Sequence, residues 1–493
     1  MKQQPQNTQD PSAAHASLGF LLAAAVDELF PDRTLFIEHS FIGGYYCHFH
    51  KRDSFSADDL QALANRIREY CHGSDPLELM DIPRRELEAR FRNMNRDDKL
   101  EILQRLGQDW VPATRFRQYC DYRFESMTVH MEQLARFSLD PYREGFLLRF
   151  PNLLPPHDLS PMKDSPKLYQ VIQQREEWGH ALRVNNLNQL NNLLEADGGR
   201  ELTWVAEGLH EKTIARIADG LVAGHPDRRV IFISGPSSSG KTTFAKRLAV
   251  QLKVNLFNTL AISMDDYFHD RSDMAKLPDG TLDFEALEAL DIPRLVQDIR
   301  ALLEGRSINR RCFKFKEGIG FDTDEQLRLE PDTFLIVEGI HGLNPVFPAQ
   351  LGADKVQRIY ISAITQLNVD NEHRVSSSDN RLLRRLVRDA QFRGHNAEAT
   401  LLQWPKVRLG EVQHIFAHQE EADFMFNSAL IYELAVLRKK AAAVLKSVSK
   451  KSPAHPKARR LLTFLSFIAP LDDQVVPPTS ILREFLGGSA FNY

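Results

Sequence analysis

The 493-residue chain has few cysteines, almost no net charge and no long apolar run. Its four cysteines, Cys47, Cys71, Cys120 and Cys312, are scattered without a C-x-x-C pair, which excludes a disulfide framework and predicts reduced thiols. With 62 basic against 66 acidic residues the net charge is −4, so there is no global pull toward nucleic acid or an anionic membrane. The longest early apolar run, Phe20–Val26, is too short to cross a bilayer. The polar opening MKQQPQNTQDPSAAHA lacks the basic-then-apolar order of a secretory leader. Together these absences predict a cytoplasmic protein with no membrane partner.

The length predicts two or three domains, and 43% hydrophobic with 26% charged residues is enough to build real cores. Residues 1–12 read as a disordered tail. Residues 13–152 mix helix and strand patterns: an amphipathic SLGFLLAAAVDELF, two strands around Gly43–Gly44, and a helix capped by Ser56. Residues 153–226 begin as a Pro-rich connection and continue as a helical linker. Over 227–445, strand candidates VIFIS, TLAIS, TFLIVEG, RIYISAI and DFMFNSA alternate with helices. That alternation predicts an α/β parallel sheet flanked by helices, preceded by an α+β domain. Residues 446–493 are too apolar to be free and are expected to pack on the body.

The stretch VIFISGPSSSGKTTFAKRLAV, residues 230–250, carries the clearest chemistry. Gly235, Gly240, Lys241 and Thr242 fit G-x-x-x-x-G-K-[ST], with a strand pattern before and a helix pattern after. Glycines let consecutive amides turn inward as an anion nest, and the following helix adds its positive end. The cradle candidates are Gly235, Ser237, Ser238, Ser239, Gly240, Lys241, Thr242 and Thr243. Lys241 would reach the β- and γ-phosphates of ATP, and the Thr242 hydroxyl would ligate Mg²⁺.

Phosphoryl transfer also needs a group that orients or deprotonates the acceptor. Asp265 and Asp266 end the strand pattern TLAIS, and Glu338 ends TFLIVE, both at the carboxyl ends where open α/β sheets bind ligands. Glu338 stands in the metal-holding position. Further on, Arg381, Arg384, Arg385 and Arg388 fall at i, i+3, i+4 and i+7, opposite Leu382, Leu383, Leu386 and Val387, and Arg393 follows. A guanidinium face suits the charge of a transferring phosphoryl group and predicts a phosphate-closing lid. His269, His341 and His395 are read as packing groups.

The ordered segments GPSSSGKTTFAKRL, SMDDYF, FLIVEGIHGL and RLLRRLVRDAQFRG resemble the uridine kinase/phosphoribulokinase family of P-loop kinases over roughly residues 226–440. HASLGFLLAAAVDELFPD, IGGYYCHF and FSADDL resemble the second additional domain of threonyl-tRNA synthetase. The first resemblance implies a P-loop NTPase sheet, an acceptor-activating Asp265, metal contacts from Thr242, Asp265 and Glu338, and lid arginines Arg385, Arg388 and Arg393. It places acceptor ribose contacts at Asp283 or Glu285. Two departures stand out. Phe313 and Gly318 replace the Tyr and His with which uridine-cytidine kinases read the pyrimidine. In the synthetase-like module Gly19 replaces the second histidine of His-x-x-x-His, leaving His15, with Cys120 and His130 only weakly patterned, so a zinc site there is not expected.

The sequence therefore predicts an ATP- and Mg²⁺-dependent kinase acting on a hydroxyl of a small molecule, a nucleoside first. A sugar-phosphate kinase and an ATP-binding RNA-associated protein are the alternatives. The charge balance argues against a nucleic-acid partner, and homo-oligomerisation stays open.

Overall fold

The computed structural model describes residues 11–492 apart from 51–54, 152–157, 160, 275–279, 281 and 366. The expected tail lies outside the described residues up to residue 10. At its end the expectation is corrected, because a helix already begins at Pro11 and runs to Leu29. The apolar stripe of that helix supplies the reason: Leu18, Leu21, Leu22 and Ala25 are buried in one core.

The N-terminal region carries two antiparallel sheets. Strands β1 (Leu35–Phe41), β2 (Gly44–Phe49), β6 (Ser138–Tyr142) and β7 (Gly145–Arg149) pair in the order β1-β2-β7-β6. Strands β3 (Glu78–Pro83), β4 (Trp110–Phe116) and β5 (Tyr119–Tyr122) form the second sheet. Helix Ala57–His72 starts at a capping box, with Ser56 and Asp59 each bonding the other's backbone. Helices Pro166–Leu182, Leu187–Asp197 and Arg200–Ala223 follow.

The second half is built on a five-stranded parallel sheet: β8 (Val230–Ser234), β9 (Asn258–Ser263), β12 (Thr333–Glu338), β13 (Val356–Ser362) and β14 (Phe424–Asn427). Their order is β14-β13-β8-β12-β9, so the strand entering the Gly-rich loop is central. All five residues of β8 are buried, because helices cover both faces. The register sets Glu338 opposite Ile233 on β8 and Ser263 on β9. Three strands thus end level, which brings Gly235, Asp265 and Glu338 to one edge. Two further strands, β10 (Ile308–Lys314) and β11 (Ile319–Leu327), form a hairpin where the sequence suggested only an acceptor-reading segment.

The halves are joined through residues 367–375, the connection between β13 and helix Ser377–Arg388. Its Asn371 carbonyl accepts from the Ile37 amide at 2.9 Å, and Asn368 Nδ2 donates to the Ile37 carbonyl at 3.2 Å. Glu372 receives Lys99 and Arg96 from the N-terminal region, each at 2.6 Å, and the Tyr119 hydroxyl at 2.8 Å. Lys99 is only 1% exposed and also pairs with Asp121. Burial raises the Glu372 carboxyl, but Arg96 and Lys99 outweigh that and hold it well below the ordinary range. Removing one partner of such a cluster leaves buried cations uncompensated. Glu372→Ala is therefore expected to cost about 3–5 kcal/mol in urea denaturation; a loss under about 1 kcal/mol, typical of a surface pair, would contradict this reading.

Candidate active site

The Gly-rich loop is fixed from behind. Gly235 admits no side chain, since a Cβ would fall 2.0 Å from the Ile361 carbonyl oxygen. Gly240, with φ +86°, takes a left-handed turn just before helix Lys241–Val254. Between them, three carbonyls are held by groups behind the loop. Arg381 donates to the Ser237 carbonyl at 3.0 Å, Arg384 to that of Ser238 at 3.3 Å, and the Ser428 hydroxyl to that of Ser239 at 2.5 Å. Both arginines are essentially fully buried and are neutralised by buried carboxylates: Arg381 by Glu411, with one contact at 2.8 Å, and Arg384 by Glu433. The first-turn amides of helix Lys241–Val254 have no partner inside the helix, so the cleft meets the helix's positive end.

Those donors suit phosphate. Ser238 Oγ and Ser239 Oγ are buried with no partner among the described residues. Lys241 Nζ folds back onto the Gly235 carbonyl at 2.8 Å. Burial lowers its ammonium, against the attraction of Glu338, Asp265, Glu484 and Glu285. Thr242 Oγ1 lies 3.2 Å and 3.4 Å from the two Glu338 oxygens. A hydroxyl beside a carboxylate is a hard oxygen set that fits Mg²⁺.

Asp265 sits in the turn Met264–Tyr267, whose cap Ser263 accepts from the Asp265 amide at 3.3 Å. It reaches solvent across the cleft, yet burial by the surrounding walls still holds its carboxyl above the ordinary range, opposed by Lys241 and Arg393. Asp266 turns the other way, accepting from the Phe313 amide at 3.2 Å. Asp283 accepts from the Glu285 amide at 3.0 Å, a local cap, whereas burial and Glu411 raise the Glu285 carboxyl against the attraction of Arg385 and Lys241.

The arginine helix differs from its expected role as a flap. Its apolar residues Leu382, Leu383, Leu386 and Val387 are buried, and so are Arg381 and Arg384, which makes Ser377–Arg388 a wall of the core. Arg385 reaches Ser237 Oγ at 3.0 Å, Arg388 pairs with Asp389 at 3.0 Å, and Arg393, 56% exposed at the side chain, closes the row.

Sequence reasoning missed three carboxylates. Glu411 also accepts from the Ser237 amide at 3.0 Å. Glu433 anchors Arg384. Glu484, from the C-terminal segment, accepts from the Thr243 hydroxyl at 2.8 Å and from its amide at 3.4 Å. None falls in a motif, and each is brought to the loop by tertiary packing alone. The C-terminal segment packs here, with Ile481 against Gly240. In the N-terminal region, His15 stacks on Phe150 at 4.0 Å.

A parallel sheet with a Gly-rich loop on its central strand, Lys241 over that loop, and an aspartate and a glutamate at neighbouring strand ends defines a P-loop kinase. Residues 230–433 match the family model described as Phosphoribulokinase / Uridine kinase family. A uridine kinase of Halalkalibacterium halodurans is 28% identical over 178 residues, covering 36% of this chain and 75% of the relative. A threonine–tRNA ligase of Nitratidesulfovibrio vulgaris is 30% identical over 105 residues, 21% of this chain and 16% of the ligase. Among solved structures, a putative fructose transport system kinase from Silicibacter sp. is 20% identical, covering 43% of this chain and 98% of that one, with a TM-score of 0.34. Among the described residues no helix is long and apolar enough to cross a membrane.

Glu285 yields a pH prediction. Burial, then repulsion from Glu411, pushes its carboxyl up to about 7. A folded value above the unfolded one means relative stability is fully present below about pH 4.5 and is lost as pH rises through about 7. Glu285→Gln should flatten the denaturation free energy between these limits and gain up to about 3 kcal/mol at pH 8. An unchanged pH profile would contradict the assigned environment.

Proposed function

We propose that the chain is an ATP-dependent kinase that phosphorylates a hydroxyl of a nucleoside. Gly235–Thr243 and Lys241 would hold the phosphates, and Thr242, Glu338 and Asp265 would hold the metal. Bound ATP would supply the phosphoryl group, and Mg²⁺ held by these residues would offset its charge. Asp265 takes the acceptor hydroxyl's proton; a carboxyl held above its ordinary range is a better base than a free one. Arg385, Arg388 and Arg393 line the side where negative charge develops. Catalysis in this arrangement is mainly positioning and electrostatics.

The aromatic cluster beside Asp265 carries the nucleoside reading. The Asp266 carboxylate ties the turn to Phe313, whose ring lies 5.7 Å from Phe268 and 5.2 Å from Phe315. Phe315 is 51% exposed, a flat surface on which a base can stack. A phosphorylated sugar would instead call for free cations. The hairpin arginines are engaged, Arg310 with Glu325 at 2.6 Å and Arg311 with Asp322 at 3.4 Å, which favours the neutral acceptor. Phe313 and Gly318 offer no side-chain hydrogen bond to a base, so stacking without strict pyrimidine selection is expected.

The test is ATP turnover with uridine, cytidine, adenosine, inosine and ribulose 5-phosphate. Asp265→Asn should lower kcat by at least about 100-fold. Phe315→Ala should raise the nucleoside KM by about 5- to 100-fold with kcat retained, as the loss of one stacking contact predicts. Wild-type kcat in Asp265→Asn would remove the assigned base, and turnover with only the sugar phosphate would replace the acceptor class.

A further inference from the structure

A second cluster of chemistry-bearing side chains lies outside the kinase cleft, where β1, β2, helix Pro166–Leu182 and the 367–375 connection meet. Strand geometry normally sends adjacent residues to opposite faces. In β1 the pairing steps from Ile37 opposite Cys47 to Ser40 opposite Tyr45, so Glu38 and His39 together oppose the single residue Tyr46. This is a β-bulge, a device that re-aims side chains. It lets both residues join one cluster. His39 Nε2 lies 3.9 Å from Glu38 Oε2 and 3.3 Å from Glu176 Oε1 of the helix. One ligand atom from each of the three falls within 4.8 Å of the others.

We propose that Glu38, His39 and Glu176 form a binding site for a divalent transition-metal ion of the zinc class. One imidazole nitrogen with two carboxylate oxygens is a borderline donor set, whereas magnesium and calcium favour oxygen alone. Bonds of about 2.0–2.2 Å to these ligands put tetrahedral ligand atoms roughly 3.3–3.5 Å apart. The His39–Glu176 separation of 3.3 Å already has that value, the His39–Glu38 separation of 3.9 Å is a few tenths longer, and closing the set from within 4.8 Å needs side-chain adjustment of Glu38 and Glu176. Two surrounding groups hold the first ligand in place. Asn368 Nδ2 donates to Glu38 Oε2 at 3.2 Å. His48 engages the Phe49 carbonyl at 2.9 Å through Nδ1 and faces Glu38 Oε1 at 3.5 Å through Nε2. Such outer contacts are the usual support of metal ligands. His39 is buried, while the Glu38 and Glu176 side chains keep 16% and 17% exposure, so a fourth position opens to water. The three ligands share no residue with the position at His15 and Gly19. A metal here would staple the N-terminal sheet to helix Pro166–Leu182.

The experiment uses the full chain, tag removed, stripped with EDTA and titrated with zinc against a chromophoric chelator. Millimolar magnesium is kept present to occupy the oxygen-only kinase position. The wild type should bind one zinc per chain with a dissociation constant below about micromolar. His39→Gln and Glu176→Gln should each weaken it by about tenfold or more, with unchanged circular dichroism in EDTA. Should His39→Gln fail to fold, Glu176→Gln, altered only at a partly exposed helix position, decides. Equal zinc affinity in the variants, or no stoichiometric binding by the wild type, would overturn the proposal.

Discussion

Two guanidinium groups buried beneath the phosphate loop govern the arrangement of everything in front of it. Arg381 and Arg384 hold the carbonyls of Ser237 and Ser238, and Glu411 and Glu433 neutralise them in a region with almost no water. An isolated charge there would be prohibitive, while a paired and fully bonded one gives direction. With the carbonyls taken from behind, the loop cannot collapse onto its own backbone, and the start of helix Lys241–Val254 stays turned to the cleft. Ser428 adds the third tie from the end of β14. The loop is thus shaped by residues from far along the chain.

The same wall links the site to the N-terminal region. Helix Ser377–Arg388 follows directly on the connection that Lys99, Arg96 and Tyr119 grip through Glu372. Glu372 and the loop-shaping Arg381 and Arg384 thus lie on one continuous segment of the chain. On the other side, the C-terminal segment places Glu484 on Thr243, so a carboxylate already meets the amide at the end of the phosphate cradle.

Much of this was legible in the sequence wherever local chemistry decides structure. The strand patterns around VIFIS and TFLIVE, the Ser56 cap and the Gly235–Thr242 spacing need only their neighbours to be read. The arginine spacing gave the right helix but the wrong exposure. Periodicity shows which side chains share a face, and cannot show that buried Glu411 and Glu433 wait opposite that face. Glu484 and the bulge at Glu38–His39 were illegible for the same reason, since both depend on pairing between distant segments. The hairpin Ile308–Leu327 was overlooked because its polar, partly exposed strands lack a clean apolar alternation.

The central claim, that buried arginines shape the phosphate loop, is tested most directly by calorimetric titration of Mg·ATP into Arg384→Lys. Lysine keeps the charge near Glu433 but cannot fork to Ser238, Ser428 and Glu433 at once. The account predicts a cooperatively folded protein with ATP affinity reduced by about tenfold or more, the loss of roughly one charge-assisted contact network. A folded variant that binds ATP as tightly as the wild type would contradict it.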